Sequence, residues 1–218
     1  MKAVTWLLDL LYPPRCVFCR KLLRSDETDV CKKCRGRLPQ IDGTFKRGKF
    51  FTQCCSVYEY RDEAADSLKR YKFGGLRHYA AAYGRLLAMC ILRERLEFDV
   101  LTWAPISKKR RRARGYDQSR LLAEAVAREL GVQCVQTLEK IRDNPAQSTM
   151  KDAAARHANV MGVYRAVMPE RFAGRRVLLI DDIITTGATL SECSFVLLNA
   201  GAAEVLCATV AATQFSNN

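Results

Sequence analysis

The spacing of apolar residues along this chain follows two different periods, and each period predicts a different element. Short apolar runs bounded by turn-forming residues predict buried strands, whereas apolar residues three or four positions apart predict amphipathic helices. The predicted strands cover residues 54–60, 98–103, 176–180 and 204–211. The predicted helices cover residues 62–71, 80–96, 120–130 and 190–199, with Gly201 capping the last one.

Strands and helices alternate over most of the chain. This alternation predicts an α/β fold with a mostly parallel sheet and helices on both faces. The segment before residue 50 lacks the pattern, and a turn-rich stretch at 36–43 separates it from the first strand. We therefore expect a small module over residues 1–50 and an α/β domain over residues 51–218. The length of 218 residues suits one such domain with its core, but not two large ones.

The first eleven residues predict a short amphipathic helix rather than a secretion signal. Asp9 interrupts their apolar stretch, which has no small-residue cleavage site. No apolar run approaches the roughly 18 residues needed to cross a bilayer. With no export signal, the ten cysteines are expected to be reduced thiols and metal ligands, and the location to be cytoplasmic.

The balance of charge is strongly basic. The chain has thirty-six lysines and arginines and twenty-three acidic residues, which gives a formal net charge of +13. The electrostatic field of such a surface favours polyanions, which include nucleic acid, acidic lipid and phosphorylated small molecules. Charge alone does not choose among these partners.

Two CxxC pairs near the N-terminus predict a structural zinc site. The four ligands are Cys16, Cys19, Cys31 and Cys34. Each CxxC turn directs two sulfurs at one point, and four thiolates complete a closed tetrahedral site without an open position for catalysis. Four unrelated buried cysteines and a redox pair are the alternatives. The other cysteines lack ligand spacing and are expected in the core: Cys54, Cys55, Cys90, Cys134, Cys193 and Cys207.

Residues 177–189 place two acids at the carboxyl end of a buried strand, followed by a turn that opens a helix. In an open α/β sheet, ligands bind at this edge. The turn consists of Thr185, Thr186, Gly187, Ala188 and Thr189. Its glycine lets a phosphate approach the backbone, and its hydroxyls and amides donate hydrogen bonds. Asp181 and Asp182 suit sugar hydroxyls or a divalent cation instead. An acidic turn before an ordinary capped helix is the alternative.

These thirteen residues resemble the phosphoribosyl-pyrophosphate (PRPP) binding signature of type I phosphoribosyltransferases. The resemblance implies a type I phosphoribosyltransferase-like fold for the α/β domain. It also implies that Asp181 and Asp182 hold the ribose hydroxyls and that residues 185–189 cradle the 5′-phosphate. Magnesium would bind with PRPP, on its pyrophosphate.

The whole chain is similar to the ComF family. The resemblance is carried by the four-cysteine module and by residues 71–75, 104–106, 114–119 and 159–164. That family is tied to natural competence, the uptake of DNA by bacteria, and its members are often labelled as relatives of amidophosphoribosyltransferases. The resemblance thus implies a role with incoming DNA.

The ComF resemblance implies two further ligand loops. The loop beneath the pyrophosphate consists of Ala104, Pro105, Ile106 and Ser107. A mobile loop that closes over PRPP runs from Arg142 to Gln147 and is joined by Lys151 and Arg156. In this second loop the family usually has Thr where the chain has Asn144, which keeps a polar contact.

A basic run from Lys108 to Arg114 carries six positive charges in seven residues. A solvated surface is one interpretation of such a run. The other is attraction of the pyrophosphate, of a nucleic-acid backbone, or of both, because the run follows the pyrophosphate loop directly. Single-stranded DNA is the candidate partner, with Tyr71, Phe73 and Tyr116 as aromatics that could stack on bases or belong to the core.

Three functions remain open on the sequence. The first is a PRPP-binding protein of natural competence that handles incoming single-stranded DNA in the cytoplasm, which the family resemblance favours. The second is an active phosphoribosyltransferase that transfers phosphoribosyl from PRPP to an unknown nucleophile. The chain has two histidines, His78 and His157, and neither belongs to a recognisable catalytic arrangement. Phosphoribosyl transfer can nevertheless proceed by positioning and charge stabilisation. The third is a PRPP-sensing regulator. A homo-oligomer is also left open.

Overall fold

A four-stranded parallel sheet forms the centre of the computed structural model, which describes residues 13–45, 48–143 and 161–213. The strands are numbered in chain order: β1 (Cys54–Glu59), β2 (Val100–Trp103), β3 (Leu138–Lys140), β4 (Tyr164–Ala166), β5 (Arg176–Ile184) and β6 (Glu204–Ala212). The central sheet has the order β1-β6-β5-β2, and all its pairs are parallel. β3 and β4 form a separate antiparallel pair.

Helices cover both faces of the central sheet. They are α1 (Lys32–Arg37), α2 (Asp62–Phe73), α3 (Tyr79–Arg93), α4 (Lys108–Arg114), α5 (Gln118–Leu130) and α6 (Ala188–Asn199). The helices α2, α3 and α5 share one apolar cluster with the sheet, whereas α6 and the β3–β4 pair share the other. A short 3-10 turn, Pro169–Arg171, precedes β5.

The central strand β5 explains how one apolar run serves both clusters. Leu178 and Ile180 belong to the cluster of α2, α3 and α5, whereas Val177 and Leu179 belong to the cluster of α6. All four side chains are fully buried, because successive residues of a strand point to opposite faces and both faces are covered here. The uninterrupted hydrophobic stretch is therefore what a central parallel strand requires.

The predicted fold class is confirmed, and the predicted strands and helices are found within a few residues of their expected bounds. β5 differs most, because it continues to Ile184 and therefore contains Asp181 and Asp182 within the strand. Residues 132–135 join the sheet only through a single parallel bridge between Leu101 and Cys134. The predicted N-terminal helix lies outside the described residues.

The basic run forms the helix α4, which the apolar pattern could not predict because this helix buries no residue. Arginine and lysine are good helix formers, and capping residues flank the run. Ser107 is the N-cap and accepts a hydrogen bond from the Arg110 amide at 3.2 Å. Gly115 ends the helix in the left-handed region, at φ +79°.

The cysteine module packs directly on α2 and α3. The Phe18 ring lies 5.1 Å from the Tyr58 ring and 6.2 Å from the Tyr83 ring. Arg85 of α3 donates two hydrogen bonds to the Asp29 carboxylate, at 2.7 and 2.6 Å. The module thus shares its apolar cluster with the α/β domain, and the boundary near residue 50 stays a prediction.

A second close contact lies between α3 and α5. A Cβ atom at Gly84 would lie 2.5 Å from the Ala125 Cβ and 3.0 Å from the Ala125 carbonyl carbon. The two helices can therefore approach each other only because residue 84 has no side chain. No helix within the described residues is long and apolar enough to cross a membrane.

We expect Gly84→Ala to lower the free energy of unfolding by about 1–3 kcal/mol, because the added methyl group forces α3 and α5 apart. Gly36→Ala is the matched control. It also lies in a helix, but its Cβ would meet no atom within 4 Å, so it should be neutral or stabilising. Urea denaturation measures both, and equal effects of the two substitutions would contradict the close contact.

Candidate anion-binding cleft and metal centre

The carboxyl ends of β2 and β5 open into a cleft of about 860 Å³. β2 ends at Trp103, which pairs with Ile180, so β5 continues beyond its neighbour and exposes its last residues to the cleft. Asp181 and Asp182 lie in this extension and line the cleft. The acids therefore occupy the sheet edge at which α/β proteins bind ligands.

The two acids are buried and differently held. Asp181 accepts hydrogen bonds from the Ser119 hydroxyl at 2.7 Å and from the Asp182 amide at 2.8 Å. Burial raises the pKa of Asp181 to about 7, and the neighbouring Asp182 carboxylate adds to this rise. Asp182 Oδ2 lies 3.0 Å from Lys72 Nζ, yet it accepts no hydrogen bond of ordinary geometry among the described residues.

The hydroxylated turn closes one end of the cleft. Thr185 and Thr189 line it, whereas Thr186, Gly187 and Ala188 belong to the turn but not to the wall. Gly187 has φ +78° and is the N-cap of α6, so the turn needs a residue that tolerates the left-handed region. The Thr186 hydroxyl accepts a hydrogen bond from the Ala188 amide at 3.4 Å.

The predicted pyrophosphate loop divides between the wall and the helix cap. Ala104, Pro105 and Ile106 line the cleft. Ser107 does not, because its hydroxyl caps α4 and donates a hydrogen bond to Asp143 Oδ1 at 2.5 Å. Its observed role is thus to fix the start of the basic helix.

The basic helix α4 presents only part of its charge to the cleft. Arg110 and Arg114 line the wall, and the Arg114 guanidinium lies 4.9 Å from the centroid of the Phe73 ring. Arg111 and Arg112 line a different hollow instead. The structure therefore separates the basic run into two faces. One face lines the cleft, and the other lines the second hollow.

Lys140 is a cleft residue that sequence reasoning missed. It is only 7% exposed, lines the cleft, and places its ammonium group 5.1 Å from the centroid of the Tyr164 ring. Burial, together with the nearby Arg110 charge, lowers the pKa of Lys140 to about 8. The alternation of side chains along a strand could have indicated that Lys140 is buried. Leu138 and Lys140 share one face of the short strand β3, and Leu138 is buried.

Other sequence predictions have mixed outcomes. Arg142 is exposed and does not line the cleft, while Gln147, Lys151 and Arg156 lie outside the described residues. Tyr71 and Tyr116 are buried core residues and are unsuited to stacking on bases. Phe73 is 72% exposed beside the cleft and keeps that capacity.

The four predicted zinc ligands come together. The sulfur atoms of Cys16, Cys19, Cys31 and Cys34 all lie within 4.8 Å of one another, and Cys19 Sγ lies 3.6 Å from Cys31 Sγ. Sulfurs bound to one zinc ion at about 2.3 Å in a tetrahedron lie roughly 3.8 Å apart, so this donor set fits a structural zinc ion. The other cysteines are buried, apart from the half-buried Cys134, which confirms their expected place in the core.

Comparison with known families agrees with both parts of this arrangement. The phosphoribosyl transferase domain family matches residues 117–215, and the double zinc ribbon domain family matches residues 7–45. The fold and the site thus define a phosphoribosyltransferase-type α/β protein that carries an N-terminal structural zinc module.

Curated relatives cover most of the chain. It is 28% identical over 203 residues to the DNA utilization protein YhgH of Escherichia coli, covering 87% of this chain and 86% of that protein. It is 28% identical over 214 residues to the competence protein ComFC of Bacillus subtilis, covering 92% and 85%. The identity to competence protein F of Haemophilus influenzae is 24% over 214 residues, covering 88% and 93%. The chain is thus similar over most of its length to competence and DNA utilization proteins, in agreement with the resemblance to the ComF family that its motifs carry.

We expect Cys31→Ser to lose the zinc ion and to destabilise the cysteine module by several kcal/mol, because metal binding and folding of such modules are coupled. Hydrogen exchange should rise in residues 14–38 and also in α2 and α3, which pack on Phe18. Elemental analysis measures the metal, and Cys134→Ser is the control that should retain it. Full zinc content in folded Cys31→Ser protein would contradict the proposed ligand set.

Proposed function

We propose that the cleft binds PRPP or a closely related phosphoribosyl diphosphate together with magnesium. We further propose that the protein acts in the cytoplasm on incoming single-stranded DNA during natural competence. The observation that carries the proposal is the composition of the cleft wall. Two buried acids, Asp181 and Asp182, line the cleft together with the cations Lys72, Arg110, Arg114 and Lys140. A ligand that fits must combine hydroxyl donors with several phosphates.

The acids suit the ribose ring. Asp182 lines the cleft, and its Oδ2 atom has the Lys72 ammonium beside it but no hydrogen bond of ordinary geometry, so we expect it to accept one from a ribose hydroxyl. Gly187 begins α6, and the first amides of a helix attract anions. The ribose and its 5′-phosphate can thus lie between β5 and the beginning of α6.

The cations suit the diphosphate. Lys140 and Arg110 lie near each other, on β3 and α4, and both face the cleft. A buried lysine with little hydrogen bonding of its own gains most when an anion arrives. We assign magnesium to the diphosphate rather than to the acids, because the Lys72 ammonium already lies 3.0 Å from Asp182 Oδ2.

The DNA part of the proposal rests on relatives and on charge. The E. coli relative is named a DNA utilization protein, and two other relatives are named competence proteins. The net charge of +13 favours a polyanion, and α4 concentrates part of that charge in one exposed helix. These features support contact with a phosphate backbone.

Phosphoribosyl transfer is a second candidate function. Lys140 and Arg110 would stabilise a departing pyrophosphate, which favours this reaction. Among the described residues, no histidine lines the cleft. A transfer reaction at this site would therefore depend on positioning and charge stabilisation rather than on an imidazole base.

We expect the double variant Asp181→Asn, Asp182→Asn to bind PRPP and magnesium about 100-fold more weakly, because hydrogen bonds to a charged acceptor contribute about 1.5–3 kcal/mol each. Inorganic pyrophosphate is the control ligand. It has no ribose, so its affinity should be unchanged or higher once two negative charges are gone. Calorimetry with both ligands gives the answer, and undiminished PRPP affinity in the folded variant would show that the acids do not hold the ribose.

We expect Lys140→Met to weaken pyrophosphate binding and to raise the melting temperature at pH 7. The folded protein depresses the pKa of Lys140 from its usual 10.5 to about 8, so burying the charge destabilises the fold below pH 8. The stability of the parent should rise between about pH 8 and 10.5. The difference in melting temperature between the variant and the parent should therefore become smaller over this range.

The affinity of the parent for pyrophosphate should depend on pH in the opposite direction to its stability. Pyrophosphate affinity of the parent should begin to fall above about pH 8, because Lys140 loses its proton, and Lys140→Met should lack this component. Calorimetry across the pH range, with the variant as reference for titration of the ligand itself, tests the assignment. Equal affinity and equal pH dependence in the two proteins would remove Lys140 from the ligand site.

A further inference from the structure

A second basic hollow of about 530 Å³ lies on the other side of α4 from the cleft. Four arginines line it, from the α2–α3 connection, α4 and α5: Arg77, Arg111, Arg112 and Arg120. Neither Asp181 nor Asp182 lines this hollow, nor does any residue of the hydroxylated turn. It is therefore distinct from the proposed PRPP site, although the two share a helix as their wall.

Four arginines and two acids, Asp117 and Glu124, line this hollow, so it keeps a net positive charge. Arg120 is paired with Glu124 at 2.8 Å. Asp117 is buried and accepts hydrogen bonds from the amides of Arg120 and Ile106, so its carboxylate is already used. The side chains of Arg77, Arg111 and Arg112 are exposed and form no hydrogen bond or ion pair with any described residue. A bound anion would relieve their mutual repulsion.

The floor of the hollow is fixed by the fold. The Tyr116 hydroxyl donates a hydrogen bond to the Tyr71 carbonyl oxygen, and the Tyr116 side chain is 7% exposed. The Arg120 guanidinium lies 5.6 Å from the Trp103 ring centroid, which restrains it from below. Gly115 ends α4 at φ +79° and brings Arg111 and Arg112 beside this floor. The arginines thus surround a preformed surface.

We propose that this hollow is a second phosphate site, which binds backbone phosphates of a single nucleic-acid strand outside the PRPP cleft. The inference deepens the DNA part of the proposed function and rests on it. A guanidinium group can donate two parallel hydrogen bonds to two oxygens of one phosphate. A shallow, open hollow also admits a continuous strand more readily than an enclosed pocket does. A strand held here does not occupy the cleft that Arg110 and Arg114 line, so the two ligands bind together.

Two double variants on the same helix test the location. Arg111→Ala, Arg112→Ala removes two charges from the hollow. Lys108→Ala, Lys109→Ala removes two charges that lie outside it, near Glu139 and Asp143 at 3.7 and 3.9 Å. Both pairs are exposed, so neither change should affect folding, and thermal melting checks this. The probe is a labelled oligothymidylate of about 20 nucleotides, followed by fluorescence anisotropy over a series of salt concentrations.

The arginine variant should reduce the slope of log affinity against log salt by roughly 1.4, since each single-strand phosphate contact contributes about 0.7. The lysine variant should change it much less. Saturating PRPP with magnesium should leave the parent's oligonucleotide bound. Equal slopes in the two variants, or release of the oligonucleotide by PRPP, would overturn the separate site while leaving DNA binding intact.

Two further outcomes separate this inference from the proposed function. If the parent does not bind the oligonucleotide at all, the DNA part of the proposed function fails, and the inference fails with it. If calorimetry then finds a second pyrophosphate molecule that only the arginine variant loses, the hollow binds small free phosphates rather than a strand. PRPP binding in the cleft is unaffected by either result.

Discussion

The burial of two adjacent carboxyl groups at the end of β5 is the constraint on which the cleft depends. Asp181 and Asp182 are 9% and 2% exposed, and a buried acid without partners is strongly disfavoured. One is held by Ser119 of α5 and the other by Lys72 of α2. Two helices that are distant in sequence must therefore reach the same strand end before the site exists. Asp182 Oδ2 has the Lys72 ammonium beside it but accepts no hydrogen bond of ordinary geometry within the described residues.

The zinc module has a physical connection to this arrangement. Ser67 and Arg70 of α2 donate hydrogen bonds to the carbonyl oxygens of Val17 and Phe18, which lie between the first two cysteines. The same helix carries Lys72 to Asp182. A structural ion that orders the Cys16–Cys19 turn thus also supports the helix that neutralises the buried acid. This explains why a module with no open coordination position belongs in a ligand-binding protein.

The parts of the site that sequence could predict are those encoded locally. A buried strand, two acids and a hydroxylated turn are contiguous, as is each CxxC pair, and both motifs are found where the pattern placed them. Lys72 and Lys140 could not be assigned in the same way, because each reaches the cleft from a separate element through tertiary packing. Ser107 shows the opposite case: residues 104–106 of the predicted loop line the cleft, but the capping of α4 takes the Ser107 side chain off the wall.

The basic run shows why charge in a sequence does not define a surface. On a helix each residue is rotated about 100° from the last, so residues 110 and 114 lie only about 40° apart, whereas residues 111 and 112 lie about 100° and 200° away from residue 110. Arg110 and Arg114 accordingly face the cleft, and Arg111 and Arg112 face away from it. Had the same residues formed an extended segment, alternation would have placed Arg110, Arg112 and Arg114 together instead. The helical conformation set by Ser107 and Gly115 therefore decides which charges face the cleft, where we propose a phosphoribosyl ligand, and which face the second hollow.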